Sequence, residues 1–190
     1  MPLFKDITPP IRLLAVVLAA AAFAGCQTTE PQQNAAAFAD GPGNSFRDRR
    51  GWVVDFVPAE NGAPAHCRGR RAAASAGPAI VFIGAEAESG FRVSGLSPDK
   101  LATAGDAVVA TFDYGDRQEF KTRRDGDALL ALFPTDHYED VMHAFSRGRS
   151  VDLRGRGGAS LVELPLSGSS WAINATDECR RMHATPKRLR

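Results

Sequence analysis

Three cysteines and four histidines are the side chains of this 190-residue chain best suited to chemistry. The segment Asp136-His-Tyr-Glu-Asp-Val-Met-His143 concentrates acids and histidines, so a metal site is the first possibility. His137 and His143 are six residues apart, which on a helix places them about 240° apart around the axis. They cannot chelate one ion from one face, and the H-E-x-x-H spacing of a zinc protease is absent. Asp136, Asp140 and His143 share a stripe, but it lies opposite the apolar stripe, where a solvated face belongs. No metal ligand is assigned. His66 precedes Cys67, a Cys-His pair of the kind that can activate a thiolate. Neighbours in a strand point to opposite faces, which argues against it. Ser167-Gly-Ser-Ser170 suits helix capping, and Arg154-Gly-Arg-Gly-Gly158 suits a hairpin turn rather than nucleic-acid binding. No G-x-S-x-G, P-loop or G-x-G-x-x-G is present. No catalytic residue and no cofactor is assigned.

The third cysteine has a different setting. Leu13 to Ala24 carries no charge and follows Lys5 and Arg12. As a helix it would span about 18 Å, too short for a bilayer core of about 30 Å. A basic start, a short apolar core and small residues after it describe a secretory signal. Phe23-Ala-Gly-Cys26 resembles the lipobox of bacterial lipoproteins, with Phe23 where Leu is usual. That resemblance implies cleavage before Cys26 and lipid on its thiol, making Cys26 the anchor to a membrane. Two or more acyl chains make a lasting anchor where one holds only marginally. Gln27 follows the cysteine, and by resemblance to enterobacterial sorting this implies the outer membrane.

With Cys26 carrying lipid, Cys67 and Cys179 remain as a pair in a disulfide-permissive compartment. Closing a loop of about 112 residues contributes roughly 4–5 kcal/mol in the chain-entropy model.

The elements that position these residues follow from pattern. Residues 1–25 read as signal and 26–45 as a polar, Gln/Pro/Gly-containing tether. Residues 46–183 read as one β-rich domain and 184–190 as a basic tail. The whole chain carries 23 Lys+Arg and 22 Asp+Glu; this balance offers no strong field for nucleic acid. Trp52–Val57, a segment through Cys67, Ala79–Gly84, Phe91–Ser94 and Ala107–Tyr114 read as strands. Asn61-Gly62 centres one turn, and Asp125-Gly126 centres a hairpin between Gln118–Arg123 and Ala128–Phe133, expected as type I′. Ser97-Pro98 starts a short helical turn. Asp136-x-x-Glu139 starts a helix whose apolar side is Tyr138, Val141, Met142 and Phe145. Ser150–Leu153 and Leu161–Leu166 form another hairpin. Ser169 or Ser170 is expected to cap a last helix with Trp171, Ala175 and Cys179 on one face. The fold class expected is α+β, mainly antiparallel, as a small sandwich or curved sheet with two helices in the C-terminal half.

The layout of Trp52-Val-Val, a following cysteine, Phe145-Ser-Arg-Gly148 and Leu164-Pro-Leu-Ser-Gly-Ser-Ser-Trp-Ala172 is similar to the invasion-associated locus B family of exported envelope proteins. That family often has a further cysteine pair in its middle, absent here. The resemblance implies a fold type and an envelope location, and no catalytic residues. The expected function is a non-enzymatic binding or scaffolding module at the periplasmic face of the outer membrane, contacting another envelope protein or peptidoglycan. Two alternatives stand beside it. One is a β-barrel inhibitor or small-ligand carrier, which needs a closed barrel with a cavity. The other is a hydrolase using His66, His137 or His143, which needs those side chains to converge.

Overall fold

Alternating apolar residues and turn-forming pairs produce ten strands, all joined antiparallel to their neighbours. The structure is a computed structural model that describes residues 43–72 and 77–184. The expected signal segment, Cys26, most of the tether and residues 185–190 lie outside them. The strands are β1 (Asn44–Arg49), β2 (Trp52–Val57), β3 (His66–Arg71), β4 (Ala79–Ala85), β5 (Glu88–Ser94), β6 (Ala107–Phe112), β7 (Arg117–Asp125), β8 (Ala128–Pro134), β9 (Ser150–Gly155) and β10 (Ser160–Pro165). The helices are α1 (Pro98–Ala104), α2 (Tyr138–Arg147) and α3 (Ser169–Cys179). The spatial order is β1-β2-β3-β4-β5-β8-β7-β6-β9-β10, an open curved sheet. This is the α+β, mainly antiparallel fold read from the sequence, with α1 as a third helix in place of a turn. Ser97 caps α1 by accepting from the Lys100 amide, and Pro98 opens it.

β7 joins the two halves of the sheet. Its Thr122–Asp125 pair with β8, while Arg117–Lys121 pair with β6. One core spans both halves. Phe145 of α2 stands at its centre, within 5.0–6.0 Å of the rings of Phe82 and Phe91 on one half and Phe112 and Phe120 on the other. Two of these four contacts, with Phe82 and Phe112, are edge-on, an arrangement that aromatic quadrupoles favour. The interior is thus filled by a side chain of the protein's own helix. Among the described residues β1 and β10 are both edges, so the described strands do not close into the barrel that a ligand carrier needs.

Two turns show how far local chemistry sets the backbone. Asn61 and Gly62 both have positive φ, 51° and 84°, as a type I′ turn demands. In the β7–β8 hairpin Asp125 pairs with Ala128, so the loop is Gly126-Asp127, one residue later than expected. Only Gly126 has positive φ there, which is the sign pattern of type II′ with glycine first.

Candidate functional site

The best-defined chemical feature is the Cys67–Cys179 disulfide. Cys67 lies on β3 and Cys179 ends α3; their Cα atoms are 5.9 Å apart. Both are fully buried among Val54, Ala175 and the edge of Trp171. Trp171, Ala175 and Cys179 therefore share the helix face expected from their spacing. The sheet admits α3 this closely because two facing residues are glycines. A Cβ on Gly69 would sit 2.6 Å from Thr176 Oγ1, and one on Gly84 would sit 3.3 Å from Thr176 Cγ2. Cys67, Gly69 and Gly84 all project toward the helix, in keeping with alternation along each strand. Cys26, the expected lipid site, lies outside the described residues.

His66 points the other way. It is buried on the opposite face of β3, with Nδ1 3.1 Å from the Pro64 carbonyl. Cys67 and His66 therefore do not face each other. His137 and His143 are exposed on the α2 side, so the convergence a His66-based hydrolase requires is not formed. Asp136, Asp140 and His143 are all exposed, and among the described residues no three His, Cys, Asp or Glu side chains gather to hold a metal. A cleft of about 250 Å³ between α2 and α3 is lined in part by Tyr138, Glu139, His143 and Asp177. Its buried polar groups already have partners, one between the two helices and the others within the α3 end. The Tyr138 hydroxyl donates to the Ile173 carbonyl at 3.0 Å, and Asp177 binds Arg180 and Arg181 at 3.0 and 3.1 Å. Burial, reinforced by the Asp177 charge and opposed by Arg180, pushes the Tyr138 phenol well above its ordinary range.

The residues of the Leu164–Ala172 pattern form a structural clasp. Gly168, at φ 80°, precedes α3 and presses against Trp52; a Cβ there would lie 3.2 Å from the indole. Trp52 Nε1 donates to the Ser167 carbonyl at 2.9 Å. Ser169 does not cap the helix. Its buried hydroxyl donates to the Phe145 carbonyl at 2.8 Å, tying α3 to α2. α2 likewise has no side-chain cap: a short 3-10 turn at Thr135–His137 leads into it, and Asp136 lies in that turn with its side chain exposed.

One surface has the form of a binding groove. β7 leaves β8 at Thr122 and pairs only with β6 toward its start, so its Arg117–Lys121 and the Leu132–Pro134 end of β8 diverge without a ladder between them. A shallow groove of about 460 Å³ lies at this fork. Phe120, Leu132, Phe133 and Val141 give it apolar walls, with Glu119, Lys121 and Asp140 at the rim. Diverging strands leave backbone donors and acceptors turned into the gap, the feature that lets a sheet accept an extended segment. Sequence reading missed this site. The one signal for it was the length of the apolar and charged run from Arg117 to Asp125, longer than the other strands. Compared with known proteins, the chain matches no family model, no curated protein and no solved structure.

Proposed function

We propose that this protein is an exported, lipid-anchored binding module of the cell envelope, held through Cys26 at the periplasmic face of the outer membrane. The observation that carries the reading is the buried Cys67–Cys179 disulfide. Such a bond persists in an oxidising compartment and is rare in the cytosol. It also accounts for two of the three cysteines and leaves Cys26, behind its apolar leader, as the single thiol for lipid. Binding, rather than catalysis, is favoured by the groove at the β7–β8 fork, whose apolar walls and open strand edges suit an extended segment of another envelope protein. The resemblance to the invasion-associated locus B family points to the same location.

The test is fractionation and intact mass of the protein from its own host. The native chain is expected in the membrane fraction, beginning at Cys26 and carrying fatty mass. Cys26→Ser is expected to move it to the soluble fraction. Unchanged membrane retention of Cys26→Ser, or a native chain without fatty mass, refutes the anchor.

A further inference from the structure

The strand register shows which backbone groups the β7–β8 fork leaves unpaired. On the β6 side, the Thr122 amide donates to the Asp106 carbonyl at 2.8 Å and the Phe112 amide to the Asp116 carbonyl at 2.9 Å. Hydrogen-bonded pairs alternate along an antiparallel ladder. Gln118, Phe120 and Thr122 therefore turn their N–H and C=O groups toward β6, while Arg117, Glu119 and Lys121 turn theirs into the gap. The same alternation holds on β8. The Thr135 amide donates to the Ala87 carbonyl, so Ala131 and Phe133 face β5, and Leu132 and Pro134 face the gap. Lys121 and Leu132 stand next in line after the pair Arg123 and Leu130, and the ladder stops before they meet. No turn or loop hydrogen bond among the described residues takes up these groups.

The side chains sort by the same alternation. Phe120 points to the core side, where Phe133 and Val141 are part-buried at the margin of the main core. Arg117, Glu119 and Lys121 point to the opposite side, and all three are exposed. Glu119 lies 3.8 Å from Arg156, whereas Arg117 and Lys121 have no ion-pair partner among the described residues. The row thus presents two uncompensated cations on either side of a carboxylate that has its own partner. Charges along an open edge oppose indiscriminate pairing. They also favour a strand of complementary charge, because opposite charges facing each other across a strand pair attract and like charges repel.

We propose that the fork takes an extended, acidic segment of another protein as an added strand, antiparallel to β7. This rests on the reading of the groove as the binding site, and it names the pattern of the partner. The main chain of the segment bonds to the free edge of Glu119 and Lys121, which supplies affinity, and its alternating side chains supply specificity. In that register an acidic side chain lies beside Lys121. The next residue, large and apolar, lies beside Phe120 and toward Phe133 and Val141. A neutral residue follows beside Glu119, then a β-branched one opposite Gln118, then a second acid beside Arg117. Asp140 stands at the rim of the groove on α2, the helix that covers the core side. An acid placed one position out of phase would turn toward that like charge, so the site rejects the wrong alternation as well as the wrong sign.

The test uses the full chain carrying Cys26→Ser, with the Cys67–Cys179 bond intact, and the peptide Gly-Glu-Phe-Thr-Val-Glu-Gly with an amidated end and an N-terminal fluorophore. The fluorescence anisotropy of the peptide is expected to rise and saturate, and the amides of Glu119 and Lys121 to gain protection from hydrogen exchange. Arg117→Glu/Lys121→Glu, a change at two exposed positions, is expected to weaken binding several-fold. A peptide with lysine in place of both glutamates is expected to bind that variant better than the parent chain, which separates lost complementarity from a damaged fold. Absence of binding overturns the proposal, and so does binding that the charge reversal leaves unchanged. Protection that appears at β1 or β10 instead overturns it and leaves the chain a binding module. Glu119 and Lys121 amides already protected without peptide assign the gap to the chain itself, or to a second copy where protection grows with protein concentration, and either result overturns it. Failure of the lipid anchor leaves the proposal standing, because the chain tested here lacks the Cys26 thiol.

Discussion

Removing the Cys67–Cys179 bond is the perturbation whose size follows most directly from the structure. The bond closes a loop of 112 residues. In the chain-entropy model a loop of that size restricts the unfolded chain by about 5 kcal/mol. A domain of this size has about 5–15 kcal/mol of total stability. Loss of the bond therefore consumes a large share and leaves a marginal fold. The native packing of α3 does not depend on the bond alone. Gly69 and Gly84 still admit the helix, and Tyr138 and Ser169 still tie α3 to α2. The folded spectrum should accordingly survive while the unfolding midpoint moves. The assay is urea unfolding of the native chain and of Cys67→Ala/Cys179→Ala, followed by the fluorescence of Trp52 and Trp171. With a slope of about 2 kcal/mol per molar, the midpoint should fall by about 2.5 M at unchanged slope. Alanine is the right replacement, because both sulfurs are fully buried and serine would bury two new hydroxyls. A shift under 0.5 M refutes the reasoning, as does the release of two thiols by the unfolded, unreduced protein.

Gly69→Ala should cost about 1–3 kcal/mol by overpacking, since its Cβ lands 2.6 Å from Thr176 Oγ1 in a fully buried site. Thr176 Oγ1 has no hydrogen-bond partner among the described residues, so adding Thr176→Ala should recover most of that loss. A double-mutant cycle with no coupling would show that the contact is not the cause. Tyr138 supplies an alkaline limit. Its phenol keeps its proton in the fold well above the ordinary value of 10, whereas the unfolded chain releases it near 10. The contribution is complete below pH 10 and is lost above it, at about 1.4 kcal/mol per pH unit for this one group. Midpoints at pH 9 and 11 compared with Tyr138→Phe should show the variant losing less on going alkaline; parallel losses would exclude Tyr138 as the source.

Much of the local structure was legible because it is a demand of short sequences on their own backbone. Asn61-Gly62 accepts positive φ at both positions. Ser97-Pro98 starts a helix as its chemistry requires. The stripe Tyr138, Met142 and Phe145 is buried as its spacing predicts, with Val141 at its margin. The alternation of His66 and Cys67 placed one on each face of β3, and so separated a bridging sulfur from a buried imidazole. The cysteine pairing was also legible, since setting Cys26 aside leaves Cys67 and Cys179 as the one pair to close.

What the sequence could not state are contacts set by how its elements pack on one another. Ser169 reads as a cap because serine before a helix usually is one. In the fold the Phe145 carbonyl, 24 residues earlier, takes its hydroxyl instead. Gly69 and Gly84 look like weak points of strands until α3 arrives to occupy the space. Apart from its length, β7 shows no sign of belonging to two ladders, because the point at which a strand changes partner is set by the strands beside it. The strand pattern and the turns were fixed by each residue's own torsional preferences and polarity. The groove and the clasp around Trp52 exist only where packing brings distant segments within van der Waals reach.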